Sequence, residues 1–178
     1  MALSCGARLD REDLFALARD RGAIIHVPSG AIAGLDGVAS AAAGRVDSVT
    51  MVTRKPPDAF RGAPGVAKAA IDIDAVDAPV KVFDGPVREA CRLFPANVNV
   101  SAALSMAGIG ADKTTIRIYA DPTVIHNTHE IVVKGEFGRL SVGIENVSTA
   151  SNPRTGVLSA LSVVAALKRI TSGTRVGT

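Results

Sequence analysis

The chain has no tryptophan, one tyrosine and five phenylalanines, so aromatics make up only 3% of it. Nucleic-acid surfaces of the stacking type need aromatic rings interleaved with clustered basic residues. Here the basic residues are scattered (Arg54-Lys55, Arg61, Lys68, Lys81, Arg88, Arg92, Lys168-Arg169) and the net charge is only +3. No nucleic-acid partner is expected. Cysteine is nearly absent too: Cys5 and Cys91 are isolated, without CxxC spacing, which suggests neither a zinc site nor a disulfide framework. No apolar run reaches about 18 residues, so no membrane span is expected. The start, Met1-Ala2-Leu3-Ser4-Cys5-Gly6, has no basic segment followed by a long apolar one; a secretory signal is not expected, and a cytoplasmic setting is the default. The glycine-rich phosphate turn G-x-G-x-x-G is missing as well. Gly34-Leu35-Asp36-Gly37 has the wrong spacing, and no P-loop occurs.

What the chain does have is aliphatic bulk. Its 178 residues are 47% hydrophobic, mostly Ala, Val, Ile and Leu, enough for one well-buried domain. Asp10 is placed to cap a helix whose apolar face carries Leu14, Phe15, Leu17 and Ala18 and which Gly22 would end. Ala23 to Val27 reads as a short buried strand. A turn over Pro28–Gly34 then leads into a small-residue helix reaching Ala43, and Val46–Thr53 reads as a strand. Lys55 to Val66, with three prolines and two glycines, reads as a loop. Val80–Phe83 is predicted as a strand ended by Asp84-Gly85, and Pro86 as lying in the first turn of a helix ending near Leu93, followed by a second helix over Asn97–Ala107. Thr114–Tyr119, Glu130–Val133 and Leu140–Ile144 are strand-like, the last two joined by a tight hairpin at Gly135 and Gly138. Ser151 or Asn152 is expected to cap a final helix with Pro153 at its first position and Val157, Leu158, Leu161, Val164, Leu167 and Ile170 on one face. The pattern is α/β at the start, merging into α+β: a mixed or antiparallel sheet with helices packed on it. Thr171–Thr178 reads as a flexible tail.

The side chains suited to chemistry sit at the ends of these segments. Histidine titrates nearest neutrality, and His129 stands at a predicted strand start, after the polar Asn127-Thr128. It is either an acid–base group or a core histidine satisfied by a backbone carbonyl. His126 lies three residues away, but no third ligand accompanies the pair and Glu130 does not open an HExxH helix, so no metal is expected. Asn97 and Asn99 flank a helix start, where one caps the helix or holds a polar ligand. Ser29-Gly30-Ala31 is a turn of tiny side chains, open to a ligand or simply tight. Lys55 reads first as an ordinary exposed lysine and second as a carboxylate anchor. Asn152-Pro153-Arg154-Thr155 reads first as a helix start, and second as a place where Arg154 or Thr155 touches substrate.

Taken in order, Pro28-Ser29-Gly30-Ala31-Ile32-Ala33-Gly34-Leu35-Asp36, Lys55-Pro56-Pro57, Phe83-Asp84-Gly85 with Glu89-Ala90, Phe94-Pro95-Ala96-Asn97-Val98-Asn99-Val100, Asp121-Pro122, Asn127-Thr128-His129-Glu130-Ile131 and Asn152-Pro153-Arg154-Thr155 resemble the L-aspartate dehydrogenase family over nearly the whole chain. The resemblance implies NAD- or NADP-dependent oxidation of L-aspartate to iminoaspartate, a step toward NAD biosynthesis, in a homo-oligomer. It matches His129 to the family's catalytic histidine, and Ala31, Ala33 and Asn99 to positions near the nicotinamide end of the cofactor. Family members begin with a Rossmann half bearing the glycine-rich loop. The expected organisation is therefore the end of a Rossmann-type domain over residues 1–28, a catalytic and oligomerisation domain over 29–170, and the tail over 171–178. Two other readings remain open here: a non-catalytic or truncated substrate domain needing a separate nucleotide-binding part, and related redox chemistry on another small dicarboxylate or amino acid.

Overall fold

A computed structural model describes residues 1–96, 98–149, 152–174 and 176–177, and for Glu12 and residues 152–155 the backbone alone. In chain order the elements are α1 (Glu12–Asp20), α2 (Leu35–Ala42), β1 (Val46–Lys55), α3 (Pro64–Lys68), β2 (Val80–Pro86), α4 (Val87–Leu93), α5 (Asn99–Ala107), β3 (Thr114–Ala120), β4 (Asn127–Gly135), β5 (Gly138–Asn146), β6 (Ser148–Thr149), β7 (Asn152–Gly156) and α6 (Val157–Thr171). Five strands form one mixed sheet in the order β2-β3-β1-β4-β5, with β6 and β7 a separate ribbon. The β1–β3 pair is parallel; β1–β4, β2–β3 and β4–β5 are antiparallel. The mixed sheet and the β4–β5 hairpin, closing at Gly135 opposite Gly138, are as the residue pattern predicts.

Alternation along the strands decides which face carries the core. Val49 and Met51 on β1, Ile116 and Ile118 on β3, and Ile131 and Val133 on β4 are all buried to within 1% of full occlusion. Helices α2, α4 and α5 cover this face, with α5 packed against both others. Small residues allow that close approach: Ser101, Ala102, Ala103 and Ser105 of α5 are buried together with Leu104. With aromatics so rare, three of the five phenylalanines are spent in one cluster. Phe94, fully buried, meets Phe60 edge-on at 6.1 Å and Phe83 at 5.9 Å between ring centroids. Gly65 leaves room for that cluster, since a Cβ there would overlap the Phe94 ring. Gly65→Ala is expected to cost about 1–3 kcal/mol or more by overpacking, read as a drop in the denaturation midpoint, because the ring is wedged between two others and has nowhere to move.

Several local expectations are corrected. Residues 23–27 form no strand: Ile24 is 77% exposed, and among the described residues no strand pairs with the segment, which is tied by the Ala2 N–H donating to the His26 carbonyl at 2.9 Å. An apolar run becomes a strand only where a neighbour takes its ladder hydrogen bonds. Helix α1 starts one residue later than read, with Arg11 at its N-cap, because the Asp10 carboxylate is drawn off by Arg88 (2.9 Å) and Arg92 (3.1 Å). The loop after Lys55 contains the short helix α3. Helix α5 is capped at Val98 without a side-chain bond, so Asn99 is its first residue rather than its cap; Asn97 lies outside the described residues. At the far end, 152–156 are strand β7, and α6 begins at Val157 behind Gly156. Asn152 and Pro153 therefore open a strand instead of a helix, and Ser151 lies outside the described residues. The anticipated apolar stripe of α6 does not face the core: Leu161 and Leu167 are more than half exposed. Buried Ser162 is its anchor, accepting the Gly30 N–H at 3.1 Å and donating to the Ser159 carbonyl at 2.7 Å.

Candidate active site

The inner sheet face is apolar through its middle and turns polar at one end. That end gathers the carboxyl ends of β1, β3 and β5 with the amino end of β4. Lys55 continues the inward series Val49, Met51, Thr53 on β1, and so ends buried, 7% exposed. His129 faces Thr53 across the antiparallel β1–β4 pair, and Asn146 faces Asn127 across β4–β5. Register alone therefore places a lysine, a histidine and two amides beside one another. Opposite them stand the Ser29–Ala31 turn and the start of α5, and together these enclose a cavity of about 230 Å³. That volume suits a solute with the bulk of a small dicarboxylate, well short of a dinucleotide.

Three of the polar side chains at the cavity, those of His129, Asn99 and Asn146, are positioned by hydrogen bonds. The His129 ring is 4% exposed, with Nδ1 lying 3.0 Å from Thr53 Oγ1, so Nε2 is the ring nitrogen left for a ligand. Burial in a poorly hydrated site, and secondarily the Lys55 charge, push its pKa from 6.5 down to about 3. The imidazole is therefore neutral at physiological pH, with one ring nitrogen a donor and the other an acceptor. Burial likewise lowers the Lys55 pKa to about 8. An anion entering beside Lys55 would oppose both shifts at once: it stabilises the ammonium and cancels the charge that disfavours an imidazolium.

Asn99 Oδ1 accepts the Gly6 N–H at 3.1 Å, tying the N-terminal segment to α5; what Asn99 can still offer a ligand is its amide N–H pair. Asn146 is 4% exposed and donates from Nδ2 to the Ala31 carbonyl at 2.8 Å.

Of the residues singled out from the sequence, His129, Asn99 and Ala31 meet at this cavity. Ala33 does not: it is exposed on the turn before α2 and is absent from the lining. Lys55, read first as an exposed lysine, is buried in the cavity wall. Carrying the β1 alternation two residues past Thr53 would have found it. Asn146 carried no signal that sequence reasoning used, since Glu145-Asn146 looks like any polar strand end. Asp121 is a loop anchor, accepting from Thr123 N–H and Oγ1 and pairing with Arg54 at 3.1 Å. Among the described residues no group of three His, Cys, Asp or Glu side chains is placed to hold a metal ion.

Known proteins are similar to this chain in sequence and in fold. The family model for the C-terminal part of aspartate dehydrogenase matches residues 36–170. L-Aspartate dehydrogenase of Methanosarcina barkeri is 46% identical over the whole chain, which covers 67% of that protein; the Bradyrhizobium diazoefficiens enzyme of the same name is 48% identical, with 63% of it covered. The crystal structure of aspartate dehydrogenase from Thermotoga maritima superposes with a TM-score of 0.78 at 30% identity, covering 98% of this chain and 66% of that one. The chain thus spans about two thirds of the length of the relatives it matches. With the family model matching most of it and relatives near half identity along all of it, the chain belongs to the aspartate dehydrogenase family.

Proposed function

We propose that this chain supplies the substrate side of a pyridine-nucleotide-linked L-aspartate dehydrogenase, oxidising L-aspartate to iminoaspartate. The observation that carries the proposal is the pairing of a buried lysine with a buried neutral histidine in one dicarboxylate-sized cavity. Hydride can leave the aspartate α-carbon only as the amine lone pair moves in to form C=N, so the substrate ammonium must first give up a proton. His129 Nε2 is the group to take it, with Nδ1 then carrying the hydrogen that Thr53 Oγ1 accepts. The Lys55 ammonium holds a substrate carboxylate, and that contact raises the basicity of His129 once substrate is seated.

The residues fit the nicotinamide end of the cofactor and no more of it: the small Ser29–Ala31 turn permits close approach, and Asn99 offers N–H donors to a carboxamide oxygen. NAD or NADP, when bound, supplies the hydride acceptor. The resemblance also assigns Ala33 to the cofactor, and homo-oligomeric assembly, a role in NAD biosynthesis and a cytoplasmic setting belong to the same reading.

Two measurements test it. Nicotinamide absorbance should rise with L-aspartate as sole substrate in a full-length enzyme carrying this segment, and much less with homoserine or other amino acids. Failure of aspartate with both NAD and NADP would sink the proposal. Separately, Lys55→Met is expected to weaken binding of L-aspartate by about 10- to 100-fold in calorimetry, the worth of a charge-assisted hydrogen bond. In the unaltered chain the same affinity should decline as pH rises through about 8, where Lys55 loses its proton.

A further inference from the structure

Among the described residues, one buried side-chain polar atom at the cavity has no partner. Asn146 Oδ1 is buried and accepts no hydrogen bond, although the Asn146 side chain is held firmly by its other end. Its Nδ2 donates to the Ala31 carbonyl, which fixes the amide orientation, since an oxygen there would face another oxygen. The atom left over is therefore an acceptor. Buried acceptors without partners are rare, because folding strips their hydration and returns nothing.

The residue that stands against it is the smallest there is, Gly156. Gly156 also lines the cavity, and a Cβ there would lie 3.4 Å from Asn146 Oδ1. Gly156 has φ −70° and ψ 142°, a conformation open to any residue. Glycine is thus not required by the backbone at this position, and what it contributes is the missing side chain.

The two titratable groups at the cavity, Lys55 and His129, suit other partners. The Lys55 ammonium can only donate, so it takes carboxylates; His129 Nε2 handles one proton. Neither can serve as a fixed acceptor for a second N–H of a substrate amine. We infer that Asn146 Oδ1 accepts a hydrogen bond from the substrate α-amino group, making Asn146, with no side chain on Gly156 beside it, the determinant that selects an amino dicarboxylate over a plain one. The inference rests on the proposed function and refines it. During oxidation the same contact orients the neutral amine so that one of its two N–H bonds points at Asn146 while its lone pair is directed to form the C=N bond as hydride leaves. No atom changes hands at Asn146.

The test compares L-aspartate with succinate, which lacks the amine, and with 2-methylsuccinate, which carries a methyl in its place. Affinities are measured by calorimetry on the 178-residue chain. The unaltered chain should bind L-aspartate roughly tenfold more tightly than either comparator, the worth of one hydrogen bond made to a charged donor. Asn146→Leu, close in shape and unable to accept, should reduce that preference to within about twofold while leaving succinate affinity within about threefold. Gly156→Ala leaves the Asn146–Ala31 bond in place and should lower the preference in the same sense, so the inference stays testable if Asn146→Leu fails to fold. An unchanged preference in both variants overturns the inference. So does equal loss of L-aspartate and succinate, which marks a structural role, or an effect confined to NAD(H) affinity, which assigns the oxygen to the nicotinamide carboxamide. Equal binding of L-aspartate and 2-methylsuccinate by the unaltered chain overturns the inference and leaves the proposed function standing. Binding of neither L-aspartate nor succinate overturns the proposed function and the inference with it.

Discussion

His129→Ala is expected to lower kcat/KM for L-aspartate by about 10²- to 10⁴-fold in a full-length enzyme, the usual contribution of a positioned acid–base group. The loss should fall mainly on kcat, because Lys55, which holds the carboxylate, is untouched. A pKa of about 3 looks at first too low for a base. Burial is the larger cause of the shift and persists with substrate bound; the smaller one is the Lys55 charge, which a bound dicarboxylate offsets. The imidazole is thus a weak base in the empty site and a stronger one when substrate is present. Lys55→Met should accordingly raise the His129 pKa, an upward shift visible by NMR titration of the ring protons. Were His129→Ala to leave kcat/KM within about twofold of the parent, the catalytic role would be rejected.

The second large effect is on stability against acid. His129 titrates at about 3 in the folded chain and at 6.5 when unfolded. Between those values the unfolded chain binds the extra proton, so stability rises with pH across the window and is lost as pH falls through it. At 1.36 kcal/mol per unit the full loss by pH 3 is about 5 kcal/mol, and by pH 4 about 3 kcal/mol. Against a typical domain stability of about 5–15 kcal/mol that is enough to decide whether the chain stays folded. Asp10, held low by hydrogen bonds from Arg88 and Arg92, and Asp112, held low by hydrogen bonds from Arg88, act in the same direction but only at or below the ordinary carboxylate range. The window from about pH 4 to 6.5 therefore belongs to His129. Urea midpoints measured across it should fall steeply with acid in the parent and stay nearly flat in His129→Gln. Equal slopes in the two would mean that the ring is hydrated in solution. At the other extreme Lys55, titrating at about 8 when folded against 10.5 unfolded, adds stability as pH rises from about 8 to 10.5.

The elements that could be read from the sequence are those whose signals are local. Helix α2 after the Pro28–Gly34 turn, the start of strand β2, helix α4 behind Pro86 and the β4–β5 hairpin at Gly135 and Gly138 all follow from turn residues and periodicity acting over a few positions, although β2 runs on through Asp84-Gly85 to Pro86, the N-cap of α4. The misreadings arise where a local signal is overruled by a partner distant in sequence. Asn152-Pro153 has the look of a helix start, yet the chain there pairs as β7 with Ser148 and Thr149. Asp10 has the look of a cap, yet Arg88 and Arg92 claim it from 78 and 82 residues away. Ala23–Val27 has strand composition, yet among the described residues no strand pairs with it.

The candidate site divides along the same line. The order of motifs in the sequence was enough to determine the family and to single out His129 and Asn99, because those residues belong to recognisable runs. Lys55 and Asn146 were decided only by the tertiary structure. A lysine or asparagine at a strand end is solvated or buried according to what lies across the sheet. Here the β1–β4 and β4–β5 registers, together with the Ser29–Ala31 turn and α5 closing over them, take both out of water. Burial shifts the lysine, and with it the histidine, and leaves one amide oxygen waiting for a donor. These are properties of neighbours brought together in space, which no short stretch of the chain encodes.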